Sequence, residues 1–98
     1  MGDNTQLIAR ARDGDRGAFD ALFGVLYPEL RRIAHARLAG NVRDTLMDTT
    51  SLVHDCYLKF VQAARLTPED RVHFLAYSAS VMRSIVVDAV RAGQAERR

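Results

Sequence analysis

The 98-residue sequence contains one cysteine, two prolines and six glycines, and each scarcity excludes a class of structure. The single cysteine, Cys56, cannot form an internal disulfide, so we expect a reducing compartment, the cytoplasm. With few proline and glycine residues and no sustained alternation of β-branched residues, a β-sheet is not expected. No apolar run reaches the length of a membrane span, and the N-terminal segment lacks the apolar stretch of a signal peptide. We therefore expect no membrane partner.

Hydrophobic residues make up 48% of the chain and recur with a helical period, which predicts one all-α domain over residues 1–98. We expect a compact bundle of four helices, at about residues 4–13, 15–38, 49–64 and 71–93. Gly14 is suited to the left-handed position that ends the first helix, and Asp15 to the cap of the second. The apolar stripe of the long second helix keeps its phase on both sides of Pro28, so we expect a bend there.

The residues that usually carry catalysis or bind metals are not grouped in this sequence. The three histidines, His35, His54 and His73, have no metal-ligand spacing, and no cysteine cluster accompanies them. Cys56 falls on an apolar helical face, which indicates a core residue rather than a nucleophile. There is no glycine-rich phosphate loop and no pair of carboxylates in an apolar setting. We predict no enzyme, no metal and no cofactor.

The predicted third helix, with Thr49 or Thr50 as its cap, has one apolar and one polar face. The apolar face consists of Leu52, Val53, Cys56, Tyr57, Phe60, Val61 and Ala64, and the polar face of His54, Asp55, Leu58, Lys59 and Gln62. Leu58 is a large aliphatic residue in the middle of the polar face. A single exposed leucine most often has no function. The alternative is a face that docks on a partner, with Leu58 as its anchor.

The last predicted helix has a core face and an outward stripe without acids. The core face consists of Leu75, Ser78, Ala79, Met82, Ile85, Val86 and Ala89, and the outward stripe of His73, Tyr77, Ser80, Ser84, Val87 and Arg91. The stripe presents an aromatic ring, hydroxyl groups and a guanidinium, and it contains no acid. Bases and phosphates can therefore approach it closely. Residues 71–98 also carry five arginines against two acids, which suits a polyanion partner. An excess of arginine near the C-terminus also stabilises the negative end of a helix dipole. Aromatic residues and arginine mark protein interfaces too, so the residues alone fit either partner.

Two segments, TTSLVHDCYLKFV and HFLAYSASVMRSIVVDAVRA, resemble region 2 of bacterial sigma factors of the extracytoplasmic-function (ECF) group. The resemblance covers the chain from Leu7 to Arg91, and its most specific parts are LVHDCYL and the register of MRSIVVDAVR. It implies a helical domain that binds core RNA polymerase and recognises and melts the promoter −10 element. An anti-sigma factor is a further partner that the resemblance suggests.

The resemblance also assigns residues to each partner. In sigma factors the third helix contacts a coiled coil of the largest polymerase subunit, which implies a docking face formed by Ser51, His54, Asp55, Leu58, Lys59 and Gln62. The loop from Arg65 to Arg71 corresponds to one that shapes a pocket for a flipped −10 base. The last helix would meet the non-template strand of the −10 element through His73, Tyr77, Ser80, Arg83, Ser84, Val87 and Arg91. Asp88 is expected to orient the helix rather than to contact a base.

Two departures from the sigma factor pattern bear on these expectations. Ser51 stands where a carboxylate is frequent, so one polymerase contact is expected to be weaker or to be made differently. The second helical domain of these factors, which reads the −35 element, has no counterpart in the sequence. The chain is then a separate domain, a natural fragment or a one-domain family member. The alternative function is a helical interaction module, a decoy for anti-sigma factors or polymerase that reads no promoter.

Overall fold

A computed structural model of the protein describes residues 4–39, 47–63 and 68–96, with side chains up to residue 93. This part of the chain folds into helices and contains no β-strand, which confirms the all-α prediction. The helices are α1 (Thr5–Arg12), α2 (Arg16–Val25), α3 (Tyr27–Leu38), α4 (Thr49–Gln62) and α5 (Arg71–Glu96). None of them is long and apolar enough to cross a membrane.

The predicted second helix is divided into two, α2 and α3, so the prediction of four helices with one bent helix is wrong. Leu26 separates them with φ −93° and ψ 5°, and Pro28 follows in the first turn of α3. Proline lacks an N–H and its ring presses on the carbonyl four residues earlier, but the first turn of a helix tolerates both. The predicted apolar stripe nevertheless continues across the break, because Leu22, Leu26 and Leu30 are all fully buried.

The end of α1 and the start of α2 follow the prediction closely. Gly14 has φ +99°, in the left-handed region, and Asp15 caps α2 by accepting a hydrogen bond from the amide of Ala18 at 3.0 Å. The guanidinium of Arg10 lies 2.8 Å from the other carboxylate oxygen of Asp15. The hydrogen bond from the Ala18 amide, with that of Arg10, lowers the pKa of the Asp15 carboxyl below its usual value.

Other helix ends differ from the prediction. Asp48, rather than Thr49 or Thr50, caps α4, because its carboxylate accepts a hydrogen bond from the amide of Ser51 at 2.8 Å. The same hydrogen bond lowers the pKa of Asp48. α4 ends at Gln62, two residues earlier than expected. α5 continues past Gly93 to Glu96, since a glycine inside a helix costs only about 1 kcal/mol and the residues that follow favour helix.

Aromatic rings join α2, α4 and α5 in the core. The Phe60 ring of α4 stacks on Phe74 of α5, with centroids 5.4 Å apart, and lies 5.8 Å from Phe23 of α2. One helical turn before Phe60, the thiol of Cys56 lies 3.9 Å from the carbonyl oxygen of Ser78, one turn after Phe74. These pairs show that α4 and α5 run antiparallel. Phe74, fully buried, was not predicted as a core residue.

Candidate functional site

The predicted docking face lies on the outer side of α4. Of its members, Ser51, His54, Leu58, Lys59 and Gln62 are exposed and Asp55 is half-buried. Leu58 remains 40% exposed, as its position among polar residues predicted. On the opposite side of α4 the buried residues are Leu52, Val53, Cys56 and Phe60. The core therefore fixes the rotation of α4 about its axis, and with it the outward direction of the docking face.

Polar contacts at two edges of α4 also hold the helix in this rotation. The hydroxyl of Tyr57 donates a hydrogen bond to the Asp20 carboxylate at 2.7 Å and accepts one from Arg16 at 3.3 Å. At the start of the helix, the guanidinium of Arg31 donates to the hydroxyl of Thr50 at 2.9 Å. Tyr57 was expected on the apolar face, and its ring does pack against α2. Nothing in the sequence indicated that its hydroxyl joins α4 to α2.

The outward stripe of α5 is exposed throughout, as predicted: His73, Tyr77, Ser80, Ser84, Val87 and Arg91. Arg83 is exposed as well. Tyr77 and Val87 retain 37% and 38% of their surface, which is high for large apolar side chains. Asp88 is exposed and has no hydrogen bond or ion pair within the described residues, so the structure gives no support for a helix-orienting role.

Tyr77 does not point entirely away from the core. Its ring contacts that of Phe60 on α4, with centroids 5.3 Å apart and an angle of 54° between the planes. The buried Phe60 ring therefore supports one part of the Tyr77 ring, while the remainder stays accessible. A helical wheel of α5 alone could not reveal this contact, because it depends on how α4 lies beside α5.

Between α4 and α5, next to this ring pair, lies an open groove of about 220 Å³. It is lined by Lys59, Phe60, Tyr77, Val81, Ser84 and Ile85. Lys59, the only lysine of the sequence, was assigned to the docking face, whereas Tyr77 and Ser84 belong to the outward stripe. The groove thus combines an ammonium group, an aromatic ring and a hydroxyl above an apolar floor.

Two residues predicted to contact DNA have partners within the protein. The side chain of Arg71 forms an ion pair with Glu29 of α3 at 3.5 Å, and its buried Nε has no hydrogen-bond partner among the described residues. The imidazole Nδ1 of His73 accepts a hydrogen bond from the Glu69 amide at 3.4 Å, while the His73 amide donates to Asp70 at 2.8 Å. Both residues therefore stabilise the start of α5, a role that the sequence did not indicate.

The loop between α4 and α5 is described only in part. Arg65 lies outside the described residues, as do the rest of residues 64–67. Pro68 is buried, and its carbonyl oxygen lies 3.5 Å from the guanidinium of Arg12, which is the last residue of α1. Among the described residues, no three His, Cys, Asp or Glu side chains are grouped so that they could hold a metal ion.

Comparison with known proteins decides the family. The family model described as "ECF sigma factor" matches residues 1–98, the whole chain. The chain belongs to the ECF sigma factor family. No curated protein and no solved structure gives a significant match to it. Sigma factors are transcription factors without catalytic activity, and membership implies a role in transcription initiation with core RNA polymerase and promoter DNA as partners.

In this ECF sigma factor Cys56 lies on α4 directly beneath the docking face, and it is fully buried. Burial raises the pKa of its thiol to about 12, because the apolar surroundings disfavour the thiolate. The thiol donates a weak hydrogen bond to the carbonyl oxygen of Ser78. These observations agree with the prediction of a core residue.

We expect Cys56 of the folded protein to resist alkylation. With a pKa of about 12, only about one thiol in ten thousand is ionised at pH 8. The measurement is the rate of iodoacetamide labelling at pH 8 by mass spectrometry, with the same chain in guanidinium chloride as control. Labelling should be slow in the native protein and fast in the denatured one. Equal rates would mean that the thiol is exposed.

Proposed function

We propose that this ECF sigma factor docks on the largest-subunit coiled coil of core RNA polymerase through α4. In the same proposal, the outward side of α5 holds the non-template strand of the promoter −10 element in its melted form. The observation that carries the proposal is the groove between α4 and α5, where Tyr77, Lys59 and Ser84 meet above the ring of Phe60.

The groove has the chemistry that an unstacked base requires. A base removed from a duplex loses its stacking neighbours, and an aromatic ring replaces one of them at about 1–3 kcal/mol per base. Tyr77 offers such a ring, and its contact with Phe60 limits its movement. The hydroxyl of Ser84 can donate or accept a hydrogen bond at a base edge. Lys59 adds a cation for a base oxygen or a neighbouring phosphate.

The rest of the outward stripe suits the sugar–phosphate backbone on either side of that base. Arg83 and Arg91 are exposed guanidinium groups, which bind phosphate oxygens through a fixed fork of donors. Ser80 is small and polar and Ala76 is small, so a strand can approach the helix closely along this side. Arg71 and His73 contribute indirectly, since their contacts with Glu29 and Glu69 fix the start of α5.

Preference for the open strand is what allows such a surface to melt DNA. Separating base pairs costs stacking and pairing energy, and no nucleotide hydrolysis is involved in this scheme. Binding must therefore favour the unstacked strand over the duplex, which shifts the equilibrium toward the open state. Docking on polymerase raises the effective concentration of the groove near the promoter. Lys59 belongs to the docking face and also lines the groove, which supports a polymerase contact and a strand contact that lie next to each other.

The docking part of the proposal depends on Leu58. Its half-exposed side chain is surrounded by His54, Asp55 and Gln62, the arrangement of an apolar anchor within a polar rim. Ser51, at the start of the face, has a hydroxyl where a carboxylate is frequent in the family, and Asp55 is the acid that the face itself offers to a basic partner. Asp55 is half-buried.

We expect Leu58→Asp to abolish binding to core polymerase while the domain stays folded. Loss of an interface anchor costs about 2 kcal/mol or more, at least a thirtyfold weaker complex, and a buried unpaired carboxylate adds to this. Val72→Asp is the matched control, because Val72 is 77% exposed on α5, outside the docking face. Affinity for core polymerase and the melting temperature would be measured for both. A large fall in melting temperature for Leu58→Asp alone would show that Leu58 is a core residue.

We expect Tyr77→Leu to weaken holoenzyme binding to a single-stranded −10 oligonucleotide by up to about a hundredfold, whereas Tyr77→Phe should bind like the unchanged protein. Leucine keeps an apolar contact with Phe60 but removes the ring, at a cost of about 1–3 kcal/mol per stacked base. Phenylalanine keeps the ring and removes only the hydroxyl. If both variants bind DNA equally and still dock on polymerase, α5 does not read the promoter and the interaction-module alternative takes its place.

A further inference from the structure

α3 carries a basic surface apart from the outward stripe of α5. The helical period aligns Arg31 with His35 and Ala39, and Arg32 with Ala36, in two adjacent rows. All five residues are exposed. They form a ridge, the α3 ridge, in which two arginines and a histidine are separated only by alanine. The small alanines allow a large partner to approach the helix closely.

No acid of α3 pairs with the positive charges of the ridge. The only acid of α3, Glu29, is engaged with Arg71 on α5 and its side chain is only 25% exposed. Within the part of the chain that the structure describes, the side chains of Arg32 and His35 make no hydrogen bond or ion pair.

Two arginines of α1 and α2, unlike Arg32, have acid partners. Arg10 pairs with Asp15 at 2.8 Å, and Arg16 pairs with Asp20 at 3.6 Å. Such mixed pairs are what an ordinary solvated helical surface contains. The same chain thus has paired arginines on one surface and unpaired ones on another. This contrast distinguishes the α3 ridge from a merely solvated face.

Arg31 is oriented without losing its charge. Its guanidinium donates hydrogen bonds to the hydroxyls of Thr50, at 2.9 Å, and Tyr27, at 3.3 Å, and lies 5.8 Å from the centre of the Tyr27 ring. Both hydrogen-bond partners are neutral, and the nearby Asp48 carboxylate interacts with Arg31 electrostatically without forming an ion pair with it, so the guanidinium can still bind an anion. An arginine that is already held in place loses less conformational entropy when it binds an anion.

We infer that the α3 ridge binds the phosphate backbone of double-stranded DNA that adjoins the melted −10 segment. The inference rests on the proposed function, which places the melted strand on α5. The ridge has no free aromatic platform, since Arg31 lies over Tyr27, so it does not suit unstacked bases. Cations between small residues suit duplex phosphates, which are contacted without regard to sequence. An acidic protein is the other class of partner, but the centres of protein interfaces are enriched in aromatic residues, which the ridge lacks.

The test uses the chain bound to core RNA polymerase and two probes, a single-stranded −10 oligonucleotide and the same strand continued into duplex. Affinity is measured at several salt concentrations. For Arg32→Gln, we expect weaker binding of the duplex-containing probe, with a slope of log K against log salt that is shallower by about 0.9. Arg31→Gln combined with Arg32→Gln should change the slope by about twice as much. The single-stranded probe should bind unchanged.

Arg10→Gln is the control, because it removes the same charge from a surface where the arginine is paired. It should leave the salt dependence of both probes unchanged. An unchanged slope in the double variant, or an equal loss with the single-stranded probe, would overturn the inference. Loss of polymerase affinity in the double variant would identify the ridge as a protein contact and would also overturn it. If the unchanged protein fails to bind the single-stranded probe while the duplex slope still depends on Arg32, the proposed function fails and the ridge inference stands.

Discussion

The packing of the Phe60 ring determines how the docking face of α4 and the outward stripe of α5 are positioned. Phe60 contacts Phe23 on α2, Phe74 and Tyr77 on α5, and it lies on the side of α4 opposite the docking face. All aromatic residues except Tyr27 belong to this one cluster: Phe19, Phe23, Tyr57, Phe60, Phe74 and Tyr77. Aromatic pairs prefer particular offset and edge-on geometries, so this cluster constrains how the helices pack. The direction of Leu58 and the placement of Tyr77 both follow from where Phe60 is fixed.

Some arginines of the described residues pair with acids and others do not. On α1 and α2 the basic side chains of Arg10 and Arg16 are used within the fold, where they pair with Asp15 and Asp20. Exposed ion pairs of this kind add little stability, but they leave those helices close to neutral. Within the described residues Arg32, Arg83 and Arg91 make no ion pair. They give a domain of net charge +2 a locally strong attraction for polyanions.

Features that depend on a single helix were predicted from the sequence, whereas contacts between two helices were not. The apolar stripe through Leu22, Leu26 and Leu30 and the turn at Gly14 follow from local periodicity and backbone geometry, and the structure has both. The division at Pro28 was predicted as a bend, because a stripe that keeps its phase does not reveal where the helix axis is interrupted. Three features could not be predicted because they join residues far apart in sequence: the Tyr77–Phe60 contact, the groove with Lys59 and the Arg71–Glu29 pair. The α3 ridge was missed because residues 1–70 carry nine basic residues against ten acids, so the net charge of that stretch does not reveal a local basic surface.

The most direct test of the account is a structure of the chain bound to core RNA polymerase and a single-stranded −10 oligonucleotide. The decisive quantity is the distance between the Tyr77 ring and the nearest base. The account predicts one base lying flat against that ring, at the contact distance of about 3.5–4 Å, within the groove between Lys59 and Ser84. A strand that passes elsewhere on the domain, or a groove that is filled by polymerase, would contradict it.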